Sequence, residues 1–206
     1  MLVAVLACWP ARDVPTFEFV AMDDDINLIF NSHLGPPSVE RLQWMFTDAT
    51  YMRRYIPLGW LSFSVVYAWS GLSPVGYHLA NVVLHAVNSA LVFAVLLALL
   101  RRYADGAEHV KRGWLPPAAG LGAAWWALHP FRAETIGWAS GLMYAVAGAF
   151  ALLSVLAYLR SWTVAAPRAR RVRWLVGAAV LYTASLLTYP IALGLVGVFL
   201  LIDVAE

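Results

Sequence analysis

The sequence predicts an all-α fold, a polytopic membrane helical bundle of about five to seven membrane helices with a large first outer loop. Three observations carry this expectation. The 206 residues are 62% apolar and only 13% charged, with mean hydropathy +0.69, whereas roughly half of a soluble protein is apolar. Several apolar runs reach or approach the about 20 residues that a helix needs to cross a bilayer. Basic residues gather in two short segments between these runs, the pattern that orients helices in a membrane. The net charge of +2 is too small to suggest a nucleic-acid partner, so the expected environment is the lipid bilayer. The single cysteine, Cys8, excludes an intramolecular disulfide.

Taken in order, residues 1–9, "MLVAVLACW", are apolar but too short to span. They are read as the remnant of a first transmembrane helix whose beginning is missing from the reading frame. Residues 10–56 form the outer loop. Residues 57–72 suit a helix at the interface, and 76–100 a full span closed by Arg101 and Arg102. Residues 114–128 open on Pro116-Pro117, tolerated at a helix start. Residues 135–159 are a second full span. The apolar run 174–204 is too long for one crossing at about 1.5 Å per residue. Tyr189-Pro190 divides it, which predicts two short helices out and back. Gly120, Gly122, Gly141 and Gly148 would let helices approach closely. The segments 101–113 and 160–173 hold the arginines and Lys111 and should share one face, cytoplasmic by the usual bias. The opposite face then carries 10–56 and "HPFRAE" at 129–134. The whole chain, 1–206, reads as one membrane domain, its bundle spanning 57–206.

Five groups of residues are candidates for chemistry. Asp23, Asp24 and Asp25 repel one another, and at the mouth of a bundle one of them would accept a proton from a hydroxyl, or the run would hold a divalent cation. A solvated acidic turn is the competing reading. His129, Arg132 and Glu134 lie between two spans, where polar side chains line a pathway or simply make a polar connection. Arg53 and Arg54 stand on the outer face, against the charge bias. An arginine fork suits a phosphate, and an interfacial anchor or a salt bridge to the Asp run is the alternative. His78, Asn81, His85 and Asn88 follow helical spacing and share one face. Interhelical hydrogen bonding explains them better than a metal site, for which two histidines without a thiolate are too few. Tyr189 stands at the outer turn of the last helix pair, near enough to reach a pocket or to serve as an interfacial aromatic. No phosphate-binding glycine loop, CxxC or HExxH occurs, and apart from the Asp run no metal ligand is assigned.

Read together, "FVAMDDDINLIFN", "RRYIPLGWLSF", "GLSPVGYHLANVVLHAVNSALVF", "ALHPFRAETIGWASG" and "LTYPIALGLVGVFLLID" resemble one family in order and spacing. The chain, from about Phe19 to Asp203, is similar to the membrane half of bacterial relatives of the transmembrane-and-tetratricopeptide O-mannosyltransferases. That family belongs to the GT-C superfamily of polyprenyl-phosphate-sugar-dependent glycosyltransferases. The resemblance implies that Asp23 and Asp24 inherit the acidic catalytic motif, with Asp25 beside them. Arg54 before Pro57, then His129, Pro130 and Glu134, match further family positions. Two departures stand out. Leu142, Met143 and Tyr144 replace a polar pair common in the family, and Tyr189 replaces a lysine.

The expected activity is therefore transfer of a sugar, mannose or another hexose, from a polyprenyl-phosphate donor to a protein or glycan hydroxyl at the periplasmic face of a bacterial inner membrane. Asp23 or Asp24 would be the base. Arg54, with Arg132, would hold the leaving phosphate, and His129 and Glu134 would shape the pocket. The alternative is a non-catalytic scaffold that binds lipid-linked sugar. A small transporter fits less well, because nearly all charge lies in loops.

Overall fold

A computed structural model describes residues 3, 7–105, 111–162 and 167–204. Most of the stretch read as a remnant helix, and the middle of each basic segment, lie outside these residues. The described residues are helical and contain no strand. The elements are α1 (Val39–Thr47), α2 (Pro57–Ser70), α3 (Pro74–Asp105), α4 (Leu115–Ala127), α5 (Phe131–Gly137), α6 (Leu142–Ser161), α7 (Arg168–Thr188) and α8 (Leu195–Val204).

Two stretches, Pro74–Ala104 and Ala139–Ser161, are long and apolar enough to cross a membrane. Their apolarity and length support a membrane protein. The others do not fix a span count. α4 and α8 are short for a crossing, and α7 opens on Arg168, Arg170, Arg171 and Arg173. Those arginines were expected in a connecting segment, but α7 begins at Arg168 and contains all four.

Local chemistry sets the boundaries. Pro57 opens α2 at a position where its missing N–H costs nothing, and Gly71 ends it at φ 58°, a left-handed conformation that glycine adopts without strain. Ser38 caps α1, its hydroxyl accepting from the Arg41 N–H at 3.2 Å. Tyr189 is extended at φ −165°, as a residue before proline must be, so α7 and α8 separate where expected. One expected span is wrong at its start. Residues 135–137 belong to α5, and the chain breaks at Trp138 before a single 3-10 turn, Ala139–Gly141, leads into α6.

α6 and α7 form the closest helix pair. Ser154 donates to the Ala178 carbonyl at 2.7 Å and Ser185 to the Ala147 carbonyl at 2.8 Å, and both serines are fully buried. Small residues bring backbones close enough for such bonds. Of the glycines expected to do this, Gly122 approaches Leu96, Gly141 meets the Thr135 carbonyl and Gly148 faces Asn88, but Gly120 faces open space. Gly59, not foreseen, lets α2 reach the carbonyl of Thr188, 2.6 Å from where a Cβ would stand.

The outer segment is not a loose loop. It folds onto the bundle through a chain of rings: His33 stacks on Trp44 at 4.2 Å, then Tyr51, Trp60, Phe63 and Tyr77 follow at 5.4 to 6.5 Å. Leu28, Met45, Ile56, Leu142 and Met143 fill the space around them. Each aromatic pair adds about 0.5–1.5 kcal/mol beyond burial, so the segment is held firmly over the start of α6.

Candidate functional site

The acidic run divides into three roles. Asp24 is 1% exposed. Its Oδ1 accepts the Ser140 N–H at 2.7 Å and its Oδ2 the Val20 N–H at 3.0 Å. Asp24 thus pins the outer segment to the turn that opens α6. Asp25 spends Oδ1 on the N–H groups of Ile26, 2.8 Å, and Met22, 3.3 Å, stabilising its own π-helical turn, Asp25–Ile29. Asp23 is half-buried. It lies with Arg54 within electrostatic reach of Tyr144. Asp24 and Asp25 turn to different backbone donors, and no cluster of three metal-ligating side chains occurs among the described residues.

Arg54 is half-buried, and its Nη1 is enclosed without an acceptor. Arg53 is exposed, and among the described residues neither arginine forms a salt bridge to the Asp run. Backbone strain flanks both motifs: Met22 has φ 150°, and Met52 and Arg53 have φ 53° and 54°. Side chains rarely adopt such angles, and where they do the surrounding structure imposes them, often at functional sites.

The polar face of α3 points inward, as its spacing predicts. His78, Asn81, His85 and Asn88 are all at most 5% exposed. Asn81 Nδ2 donates to the Trp138 carbonyl at 2.6 Å and Asn88 Nδ2 to the Ala145 carbonyl at 2.9 Å, so interhelical bonding is one role of this face. Each asparagine keeps its Oδ1 buried and unpaired, as is Nε2 of His85. His78 packs edge-on to Phe17 at 6.2 Å with neither ring nitrogen bonded.

These atoms border a cavity of about 510 Å³, lined by Asn81, His85, Asn88, Trp126, Arg132 and Tyr144, with Ile191, Leu195 and Val198 on its apolar side. Trp126 stacks on His85 at 5.7 Å and carries the Arg132 guanidinium 5.0 Å above its ring. Arg132 Nε is buried and unpaired. Four buried polar atoms without partners around one cavity are costly unless something binds there. Tyr144 also meets Tyr189 edge-on at 4.7 Å, and it is the cavity residue within electrostatic reach of Asp23 and Arg54.

The other expected residues are placed less centrally. His129 lines a separate cavity of about 330 Å³ with Phe17 and Pro130, and Arg132 and Ile136 border both. Its Nδ1 accepts the Phe131 N–H at 3.3 Å. Glu134 is exposed and lines neither cavity. Trp126 and Tyr144 are the residues that sequence reasoning missed. Trp126 is one of ten tryptophans, and only its stacking between His85 and Arg132 distinguishes it.

The chain is similar in sequence to glycosyltransferases. It is 31% identical over 143 residues to protein O-mannosyl-transferase TMTC2 of Mus musculus, covering 69% of this chain and 16% of that protein. It is 36% identical over 118 residues to protein O-mannosyl-transferase TMTC4 of Homo sapiens, 55% and 15% of the two chains. With protein O-mannosyl-transferase Tmtc1 of Drosophila melanogaster it shares 35% over 133 residues, 65% and 13%. These partial matches support a relationship to the TMTC-type glycosyltransferases, and the matched region spans about one sixth of those proteins' length or less. No protein-family model matches the chain, and no solved structure does.

Proposed function

We propose that this chain carries the catalytic acid–base site and the donor pocket of a GT-C-type glycosyltransferase. It would move mannose or another hexose from a polyprenyl-phosphate donor to a hydroxyl, on protein or glycan, at the periplasmic face of a bacterial inner membrane. The observation that carries the reading is the cavity of unpaired polar atoms joined through Tyr144 to Asp23 and Arg54. The names of the relatives supply the reaction class. In this reading the acceptor oxygen attacks the anomeric carbon, and its proton passes to Asp23. The bond from that carbon to the phosphate oxygen breaks, and the electron pair leaves with the phosphate. Arg54 and Arg132 stabilise that charge. Asp24 positions its neighbour through the backbone, and Asn81, His85 and Asn88 offer their free atoms to the sugar or phosphate.

The test is sugar transfer in proteoliposomes by the full-length protein, with radiolabelled polyprenyl-phosphate sugars. Asp23→Asn should lower turnover about 10²–10⁴-fold while donor binding and the melting temperature hold. Asp24→Asn should lower turnover and melting temperature together, because it loosens the tie to Ser140. Full activity in Asp23→Asn would sink the assignment. A second reading, a non-catalytic binder of lipid-linked sugar, is favoured by how much of the acidic run is spent on backbone bonds. Wild type that binds donor but transfers to no acceptor would establish it.

A further inference from the structure

At the opposite end of the bundle from Asp24, α3 and α6 both finish in arginine: Arg101 and Arg102 on α3, Arg160 on α6. α7 begins there with Arg168, Arg170, Arg171 and Arg173. Between α3 and α6 lies a groove of about 360 Å³. Its walls are apolar, with Phe93, Leu97, Leu156 and Leu159, and Arg101, Arg102 and Arg160 border it. The guanidinium groups are not loosely solvated. Arg102 and Arg171 lie over the Trp162 ring at 5.9 and 4.6 Å, and Arg160 lies over Trp174 at 5.2 Å. Stacking of this kind holds the planar forks in place before a ligand arrives.

A ligand matching this site has an anionic head and an apolar tail. The bias of basic residues to one face explains why arginines stand here. It does not explain why three of them border an apolar groove between two helices long enough to span. We propose that the groove binds an anionic phospholipid, its phosphate at Arg101, Arg102 and Arg160 and an acyl chain along Leu97 and Leu156. Basic pockets between transmembrane helices take such head groups. The site is separate from the cavity lined by Asn81, His85 and Arg132 and does not depend on the glycosyltransferase reading.

The experiment is native mass spectrometry of the full-length protein released from nanodiscs of equal phosphatidylglycerol and phosphatidylcholine. Wild type should retain phosphatidylglycerol selectively. Each arginine-to-glutamine change at 101, 102 and 160 should weaken retention roughly fivefold, and the triple variant about a hundredfold. Leu97→Trp keeps every charge but fills the groove, and should also lose the lipid. Excess inorganic phosphate should not displace it. Equal retention of both lipids, or retention undiminished in the triple variant, would overturn the proposal. So would undiminished retention in Leu97→Trp, or displacement by inorganic phosphate, which would leave a head-group site without a groove.

Discussion

Asp23 and Asp24 are chain neighbours with opposite surroundings. One carboxylate is half-exposed near Tyr144, and the other is buried with two backbone donors. Residue type predicted an acidic pair, but which member keeps its oxygens available depends on which one is already bonded. The same logic applies to Asp48, where a testable pH dependence arises. The Thr50 hydroxyl and N–H, with the Trp44 indole and the Tyr51 N–H, hold its carboxyl at about 2, below its ordinary 3.8. The unfolded chain therefore binds more protons between these values. The stabilisation is complete above about pH 4 and is lost as pH falls towards 2. Asp48→Asn should remove that part of the acid dependence, read as melting temperature against pH from 2 to 6 beside wild type.

The break between α5 and α6 is the element on which the site turns. It presents the Ser140 N–H to Asp24 and the Trp138 carbonyl to Asn81. The sequence shows it as continuous apolar helix, "TIGWASGLMYAVAG", because the partners that end α5 come from segments more than 50 residues away. Gly141 sits in this turn, where a Cβ would collide with the Thr135 carbonyl. Gly141→Ala should destabilise by about 1–3 kcal/mol. Gly120→Ala, a helical glycine facing open space, should be neutral or stabilise by up to about 1 kcal/mol. Thermal unfolding of both variants in one detergent separates packing from propensity. The reverse pattern would mean that the break is not needed.

At the scale of the whole molecule, the outer segment and the bundle are coupled by aromatic rings as well as by the Asp24 carboxylate. Trp60, 3% exposed, is the hub, touching Trp44, Tyr51 and Phe63. Trp60→Ala should cost about 3–5 kcal/mol and expose residues 10–56 to proteolysis, while the helices remain protected. Uniform protection in the variant would show that Asp24 alone suffices to hold the segment down.

Much of this architecture is written in local sequence. Apolar length set α3 and the body of α6, prolines set the start of α2 and the break after α7, and spacing alone put His78, Asn81, His85 and Asn88 on one buried face. These are properties of consecutive residues, and periodicity reports them directly. The tertiary structure alone decided the rest: that Asp24 is a clamp and Asp23 is left free, that Arg132 leans over Trp126 into the Asn81 cavity while His129 lines another, that Glu134 faces out, and that Tyr144 joins the two halves of the site. Each of these depends on which atoms from distant segments complete a hydrogen bond or fill a gap, and residue type and spacing carry no record of a partner that lies far away in the chain.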